Sequence, residues 1–485
     1  MIPPPALEIA VVVWGLVLLL AEAFMERANR RGFAIAAIAG LLAVLIASFF
    51  LRTTPGPATA TGFWTFYTAD PLGIFFKRFA LVTTILVLVM AIDYAPMIRI
   101  GVPAATPQAG LGEFFTLPLF TCAGLMWMAS AIDFIMIFVS LELVTMSFYV
   151  LVSFTRRNPV ALEAGVKYLI LSALATGFLV YGITWIFGVT GETNLARITS
   201  VIATQNVDHA PLLFGIVLVL VALGFKIAAV PFQIWVPDVY QGAPTPVTAF
   251  LSVGSKAAGF VVLLRVLGPF LMLPEVGRVL VGVTAATLIY GNFAALPQSN
   301  LKRLLGYSSI AHAGYLLIGV VAFSGAAVAY YLVAYLLMTL LSFAVLIVVG
   351  NSAGDQIEDY AGLAKRSPFL AFTMLIGMIS LAGVPFTAGF LGKYFVFDAA
   401  IRQHQVALVV IGVITVGCGF YYYLKVVRAM YWLEPAADAT PVHTSPLSRL
   451  TMSALVIAII FFGVYPQPIL NALSPELPVP RMVVR

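Results

Sequence analysis

The sequence predicts an all-α polytopic membrane protein, and three observations carry that prediction. Apolar residues make up 62% of the 485 positions and charged residues only 9%, against about 25% charged in an ordinary soluble domain. Mean hydropathy is +1.04. Apolar runs of about 20 residues, the length a helix needs to cross ~30 Å of hydrocarbon, recur along the whole chain.

The first run begins almost at once, lacks a basic leader and carries Glu8 and Glu22, so it reads as a span and not as a cleavable signal. With it, fourteen transmembrane helices are predicted, near 6–25, 33–51, 75–95, 114–132, 134–154, 166–188, 212–235, 244–269, 276–296, 303–323, 326–350, 368–396, 405–430 and 448–467. Two of these windows carry breakers. Pro231 and Pro237 follow Lys226 in one, and Pro385, Gly389 and Gly392 precede Lys393 in the other. Proline removes a backbone donor and clashes with the carbonyl four residues back. Both helices should therefore be interrupted near mid-membrane.

The strings AAVPF (Ala228 to Phe232) and AGVPF (Ala382 to Phe386) align at an offset of 154 residues. A fainter echo pairs YLILSALATG after Lys167 with YLVAYLLMTL after Tyr330. Together they predict two five-helix repeats, helices 4–8 over 113–270 and helices 9–13 over 271–432. Helices 1–3 precede them in 1–112, and helix 14 follows in 433–485. Because five crossings are an odd number, the second copy starts from the other side of the membrane, an inverted repeat with broken helices in each half. Ser380 stands where Lys226 does under this offset, so the symmetry concerns backbone more than chemistry.

The net charge of +6 sits largely in loops, as at Arg27, Arg30, Arg31, Arg156 and Arg157, where it sets topology and implies no nucleic-acid partner. Twelve loop lysines and arginines on the side reached after the first span, Arg27 and Lys302 among them, against eight on the other, Arg52, Lys77, Arg481 and Arg485 among them, place both termini outside. Cys122 and Cys418 both lie in apolar runs, which leaves no disulfide framework or cysteine-rich metal site. The four histidines are too scattered for one, and no glycine-rich dinucleotide fingerprint follows a strand. No cofactor is expected on this chain.

Four charges fall deep inside the predicted spans: Glu142, Lys226, Lys256 and Lys393. Each costs about 2.5–3.5 kcal/mol at mid-membrane on insertion scales, so each needs a reason. Glu142 is nine residues from Asp133 and fourteen from Arg156, too deep to snorkel; a static ion pair is the alternative to a functional role. Lys226 lies beside a break, and irregular backbone survives in lipid only where it lines protein or water. Ser252, Gly254 and Ser255 give Lys256 small, polar surroundings that admit water or a close helix. Lys393 follows the second break, where a snorkelling lysine is the plain alternative. Two accessory candidates are Lys167, only ten residues past Arg157, and His312, with Ser308 and Ser309 one turn back. Buried lysine and glutamate suit proton handling because burial disfavours each charge while a partner restores it. Moving a unit charge from about 4 to about 8 Å at an effective dielectric of ~20 changes the energy by roughly 2 kcal/mol, enough to direct a proton.

At these residues the chain resembles a known family. SLELVTMSFYVLVSFTRRNPVALEAGVKYLILSA, ALGFKIAAVPFQIWVPDVYQGAPTPVTAFLSVGSKAAGF, SNLKRLLGYSSIAHAGYLLIGV and SLAGVPFTAGFLGKYF are similar to subunit N of the proton-pumping NADH:quinone oxidoreductase, complex I. The resemblance covers about residues 70–430 and implies an antiporter-like fold. It aligns Glu142 with the glutamate of the fifth helix, Lys226 and Lys256 with the lysines of the seventh and eighth, and Lys393 with the twelfth-helix position. The related subunits L and M carry a carboxylate at this last position. It implies proton translocation coupled to quinone reduction elsewhere in the complex, in the inner membrane of a bacterium. NADH, FMN, iron–sulfur clusters and quinone would belong to partners, among them other antiporter-like membrane-arm subunits. A cation/proton antiporter subunit, a plastoquinone-reducing photosynthetic complex and a solute transporter are the alternatives in view.

Overall fold

The computed structural model describes residues 5–24, 30–51, 64–101, 111–205, 207–270, 273–435 and 441–473. Arg27, Arg52, Arg481 and Arg485, counted above for orientation, lie outside them. Among the described residues, eleven helices are long and apolar enough to cross a membrane. Adding the shorter or less apolar second, fourth and twelfth spans gives fourteen crossings, in the predicted order.

Three helices come first: α1 (Ala6–Phe24), α2 (Arg30–Ser48) and α3 (Pro71–Gly101). The first repeat follows as α4 (Gly112–Ser130), α5 (Phe134–Val152) and α6 (Pro159–Thr190), then a short helix α7 (Leu195–Thr204). Its seventh crossing is broken into α8 (His209–Ile227) and α9 (Val236–Gly242). The eighth is α10 (Thr245–Phe250) and α11 (Lys256–Leu267), joined by a π-helical turn over Leu251–Ser255. In the second repeat, α12 (Pro274–Ala295), α13 (Leu301–Val321) and α14 (Gly325–Gly350) precede the short α15 (Leu363–Arg366). The twelfth crossing is again broken, into α16 (Pro368–Ala382) and α17 (Ala388–Arg402), before α18 (Val406–Trp432), α19 (Pro446–Val464) and α20 (Gln467–Leu473).

Caps written in the sequence start many of these helices. Asp133, Asn158, Asn194, Asp208, Asn300, Ser324 and Ser445 each accept a bond from a backbone N–H in the first turn, as short polar side chains do at this position. Successive crossings alternate in direction, so the turns 64–70, 131–133 and 193–195 meet on the face where α1 begins, called here the N-terminal face. Thr68 donates to Ser130, Ile132 to Phe66 and Leu195 to Ile132 through backbone bonds there. On the opposite face Leu301 donates to Asp355 and Ile357 to Ser299.

The two breaks share one geometry. α8 ends on Ala228 (φ 65) and α16 on Gly383 (φ 90), both left-handed. In each the following amide reaches five residues back, Ala229 to the Gly224 carbonyl and Val384 to the Ile379 carbonyl, the Schellman arrangement. The structural offset is therefore 155, one residue away from the offset of the aligned strings.

The most buried layer is α10–α11, α13 and α14, where nearly every residue is enclosed. α6, α18 and α19 instead present apolar side chains such as Ile170, Ile414 and Ile457 outward. A helix enclosed on all sides within a membrane protein is the place for polar groups that lipid would not tolerate.

Candidate functional site

The buried layer holds a row of polar groups near the middle of the crossings. Lys226, Lys256 and Lys393 are 4%, 2% and 5% exposed, and among the described residues none of them is ion-paired. Each ammonium instead rests on neutral oxygens. Lys226 donates to the Thr145 hydroxyl at 3.0 Å. Lys256 donates to both the carbonyl and the hydroxyl of Ser309, with its Nζ 5.6 Å from the centre of the Tyr335 ring. Lys393 donates to the carbonyls of Leu381 and Ala382 at 2.9 and 2.7 Å and lies 5.0 Å over the Tyr315 ring.

Helix geometry explains each placement. α8 stops one residue after Lys226, and the Lys226 stem packs against α11, where a Cβ on Gly259 would come within 3.4 Å of Lys226 Cγ. Gly259 is one turn beyond Lys256, so the glycine brings the two lysine-bearing helices close. Past the second break, α17 sends Lys393 back to the end of α16. Its ammonium there meets carbonyls that no longer have helical partners, the site where a helix end is most negative.

Glu142 lies one turn before Thr145 on α5. Its carboxylate accepts a bond from Thr176 of α6 at 2.6 Å, and no ion pair joins it to Lys226 among the described residues. Glu142 is only partly enclosed by its own chain. The structure thus brings Glu142 and Lys226 onto one threonine-lined spot with the ion pair open.

His312 links the central lysine to the second repeat. Nδ1 contacts the Tyr331 hydroxyl at 2.8 Å and Nε2 the Tyr423 hydroxyl at 3.1 Å; Tyr423 also bonds Ser308. Tyr422 donates to Asn292, Asn292 donates to Tyr315 and Tyr315 donates to Thr415, and Tyr315 is the ring beneath Lys393. From Lys256 to Lys393, hydroxyls, an amide and one imidazole lie side by side without a carboxylate. Hydroxyls both donate and accept, which makes such a row able to pass a proton in either direction.

Lys167 is placed elsewhere. It is 41% exposed and pairs with Glu163 and Asp238 at 2.7 Å each, while Asp238 also pairs with Arg303 at 2.7 Å. Arg303 also donates to the Gln241 side chain at 3.2 Å, and Gln241 lines a cavity of about 590 Å³ on the opposite face together with Arg157, Lys302 and Asp355 among others. Lys302, counted above with the loop charges, is buried and pairs with Asp355 at 3.4 Å. Two residues beyond Asp238, Tyr240 meets the Ser309 hydroxyl at 3.1 Å, so α9 runs from the cavity rim to the partner of Lys256.

Sequence reasoning named Ser309 only as a neighbour of His312 and did not reach Thr145, Tyr240 or the tyrosines around His312. Two signals pointed to the last of these. Ser308, His312 and Tyr315 share one face of α13 at helical spacing, and tyrosines cluster in apolar runs at 330–331 and 421–423.

Enclosed lysines on broken helices, in two five-helix repeats of opposite sense, define an antiporter-like transmembrane subunit. The chain belongs to the family described as NADH:quinone oxidoreductase/Mrp antiporter transmembrane proteins, whose model matches residues 131–419. It is 37% identical over 472 residues to the NADH-quinone oxidoreductase subunit N of Moorella thermoacetica, covering 96% of each. A chain of respiratory complex I from Thermus thermophilus with bound aureothin superposes with a TM-score of 0.81 at 32% identity, over 96% of this chain and 99% of that one. A chain of the Mrp complex from Dietzia sp. DQ12-45-1b shares the fold, with a TM-score of 0.81 at 20% identity over 98% of this chain and 96% of that one.

Proposed function

We propose that this chain translocates protons as a membrane-arm subunit of an NADH:quinone oxidoreductase, driven by quinone reduction in partner subunits that hold the NADH site, FMN and iron–sulfur clusters. The observation that carries the reading is the set of three enclosed lysines without an ion pair among the described residues, with hydroxyls and an imidazole lying between Lys256 and Lys393. A static role would pair such charges, because an uncompensated buried charge is strongly destabilising.

In this reading Glu142, Lys226, Lys256 and Lys393 are the proton-translocating residues, with His312 as a relay between the last two. Protons enter from the cavity on the opposite face, which is the cytoplasmic one in a bacterial inner membrane, and pass along α9 through Tyr240 and Ser309 to Lys256. Lys167 helps to set the charge at the rim of that cavity. The bond from Thr176 holds Glu142 away; rotation of the carboxylate toward Lys226 would stabilise its ammonium, and withdrawal would push the proton toward Lys256. The two functional halves are 113–270 and 271–432, with 1–112 and 433–485 outside them and both termini on the periplasmic side. Similarity to subunit N, and a lysine at 393, support this assignment over a cation/proton antiporter subunit.

The test separates a moving proton from a fixed charge. Lys256→Arg keeps the charge but forbids release, because arginine stays protonated to about pH 12 and beyond. Assembled complex carrying it, sealed in vesicles and supplied with NADH and quinone, is expected to lose donor-driven proton transport. Transport at the wild-type rate would exclude Lys256 as a carrier.

A further inference from the structure

A second buried ionic cluster lies outside this row, in the three N-terminal helices. Glu8 of α1 and Lys77 of α3 are 0% and 1% exposed and pair at 2.9 Å. Lys77 also donates to the Tyr67 hydroxyl, which donates to Glu8 Oε1 at 3.1 Å. Both bonds therefore converge on one carboxylate oxygen. The other, Oε2, is buried with no partner among the described residues.

A neighbouring pair shows how this protein builds a clamp. The Arg265 guanidinium grips both oxygens of Asp70 at 3.0 and 2.7 Å and adds two bonds to the Ala129 carbonyl. Every oxygen there is used, and arginine never gives up its proton. At Glu8 the cation is a lysine, a single ammonium that engages one oxygen and leaves the other open. Position adds to the contrast. Arg265 is nine residues beyond Lys256 on α11, about 13.5 Å at 1.5 Å per residue, and Asp70 is seven residues before Lys77. Tyr67 packs edge-on against Trp127, which stacks on Trp64, and Trp64 reaches the N-terminal face. These rings lie between the pair and that face.

We propose that Glu8 and Lys77, roofed by Tyr67, form a further proton-holding site at the N-terminal-face end of the polar path. This rests on the proton-translocation reading above. A proton reaching Oε2 forms an O–H bond and neutralises the carboxylate while Lys77 stays an ammonium. Its departure to water at the face breaks that bond and restores the ion pair.

The decisive variant is the double substitution Glu8→Gln with Lys77→Met, measured in the whole complex in sealed vesicles. It removes both charges together and leaves neither of them buried alone, so a purely structural pair, which needs no titrating group, tolerates the exchange. The expected result is full assembly with at least a twofold loss in NADH-driven proton transport; assembly with wild-type transport overturns the proposal. If the double variant does not assemble, Lys77→Arg decides. Arginine keeps the positive charge but can grip both carboxylate oxygens, as Arg265 does at Asp70, which closes Oε2 to a proton, so at least a twofold loss in the assembled complex supports proton holding, and wild-type transport or failure to assemble overturns it. Lys256→Ala in the same vesicles separates the two readings. Its loss of transport beside a fully active Glu8/Lys77 variant sinks only the N-terminal site, whereas wild-type transport with Lys256→Ala sinks the underlying reading as well.

Discussion

The two broken crossings open on the same left-handed helix end and have opposite chemistry. In the first, the lysine comes before the break: Lys226 is in the last turn of α8, bonded to a single threonine, with Glu142 one helical turn away along α5. In the second, the lysine comes after the break: Lys393 on α17 is held by two main-chain carbonyls at the end of α16, without a carboxylate beside it. Carbonyls of a helix end cannot move or change charge, whereas Glu142 can do both. The repeat therefore supplies one lysine with an adjustable partner and the other with a fixed one.

Replacing each lysine by methionine tests that difference most sharply. Lys393→Met should strip the donor from two buried carbonyls, at a cost of about 1–3 kcal/mol for each group left unpaired. Lys226→Met removes an enclosed charge and one hydrogen bond, so the assembled complex should melt close to wild type or above it. Both should stop proton transport. Equal losses of thermal stability in the two variants would break the comparison.

Next in size is the residue at each break. Gly383 sits at φ 90 with Lys393 Cδ 3.0 Å from where a Cβ would lie. Gly383→Ala is expected to cost roughly 1–2 kcal/mol from the left-handed backbone alone and to disturb Lys393. Ala228 already tolerates φ 65, and Ala228→Gly should change stability by less than about 1 kcal/mol. Melting of the two purified variants checks both numbers.

Smaller again is the adjustable partner itself. Glu142→Ala should leave the complex assembled and lower proton transport, with Glu142→Asp milder because it keeps the charge and shortens its reach. Transport and quinone reduction both at wild-type level in the alanine variant would remove Glu142 from the path.

The smallest effect concerns the pair that ties the N-terminal helices to the first repeat, the clamp of Asp70 by Arg265. Burial pushes its carboxyl up, but the Arg265 guanidinium more than offsets this and holds it below the ordinary aspartate value. A depressed folded value means stability that is complete above the unfolded value of about 3.9 and is lost as pH falls through the folded one. Asp70→Asn should flatten the stability profile below about pH 4 and leave proton transport near neutrality unchanged.

Much of this was legible in the sequence because lipid imposes length and period so strictly. Fourteen crossings, both breaks and the paired halves followed from apolar windows, Pro231, Pro385 and one short repeated string. Mid-depth charges were legible for the same reason, since nothing else explains Lys256 in an apolar run. Partner atoms were not. Ser309, Thr145 and the Leu381 carbonyl are ordinary in sequence and acquire meaning only when helices distant along the chain meet. Lys77 and Lys302 were misjudged as loop charges because they fall within a turn of a predicted span end; the fold encloses them with Glu8 and Asp355. The amphipathic α7 went unnoticed because ten residues are too few to register in a membrane-length window.

The π-helical turn over Leu251–Ser255 carries a consequence for how the central lysine can be inherited. A π turn accommodates one residue more than an α-helical path of the same length, and Lys256 is the first residue after it. Deleting a single residue from that turn would let the helix close into a regular one and leave everything beyond it facing as before, since four α-helical residues turn through about as much as the five they replace. Lys256 would keep its wall beside Ser309, whereas the same deletion within a regular helix would swing the residues beyond it by about 100°. The turn thus lets the chain vary by one residue without moving the central ammonium, and a one-residue gap in an aligned segment at this turn would not by itself signal a rewired path.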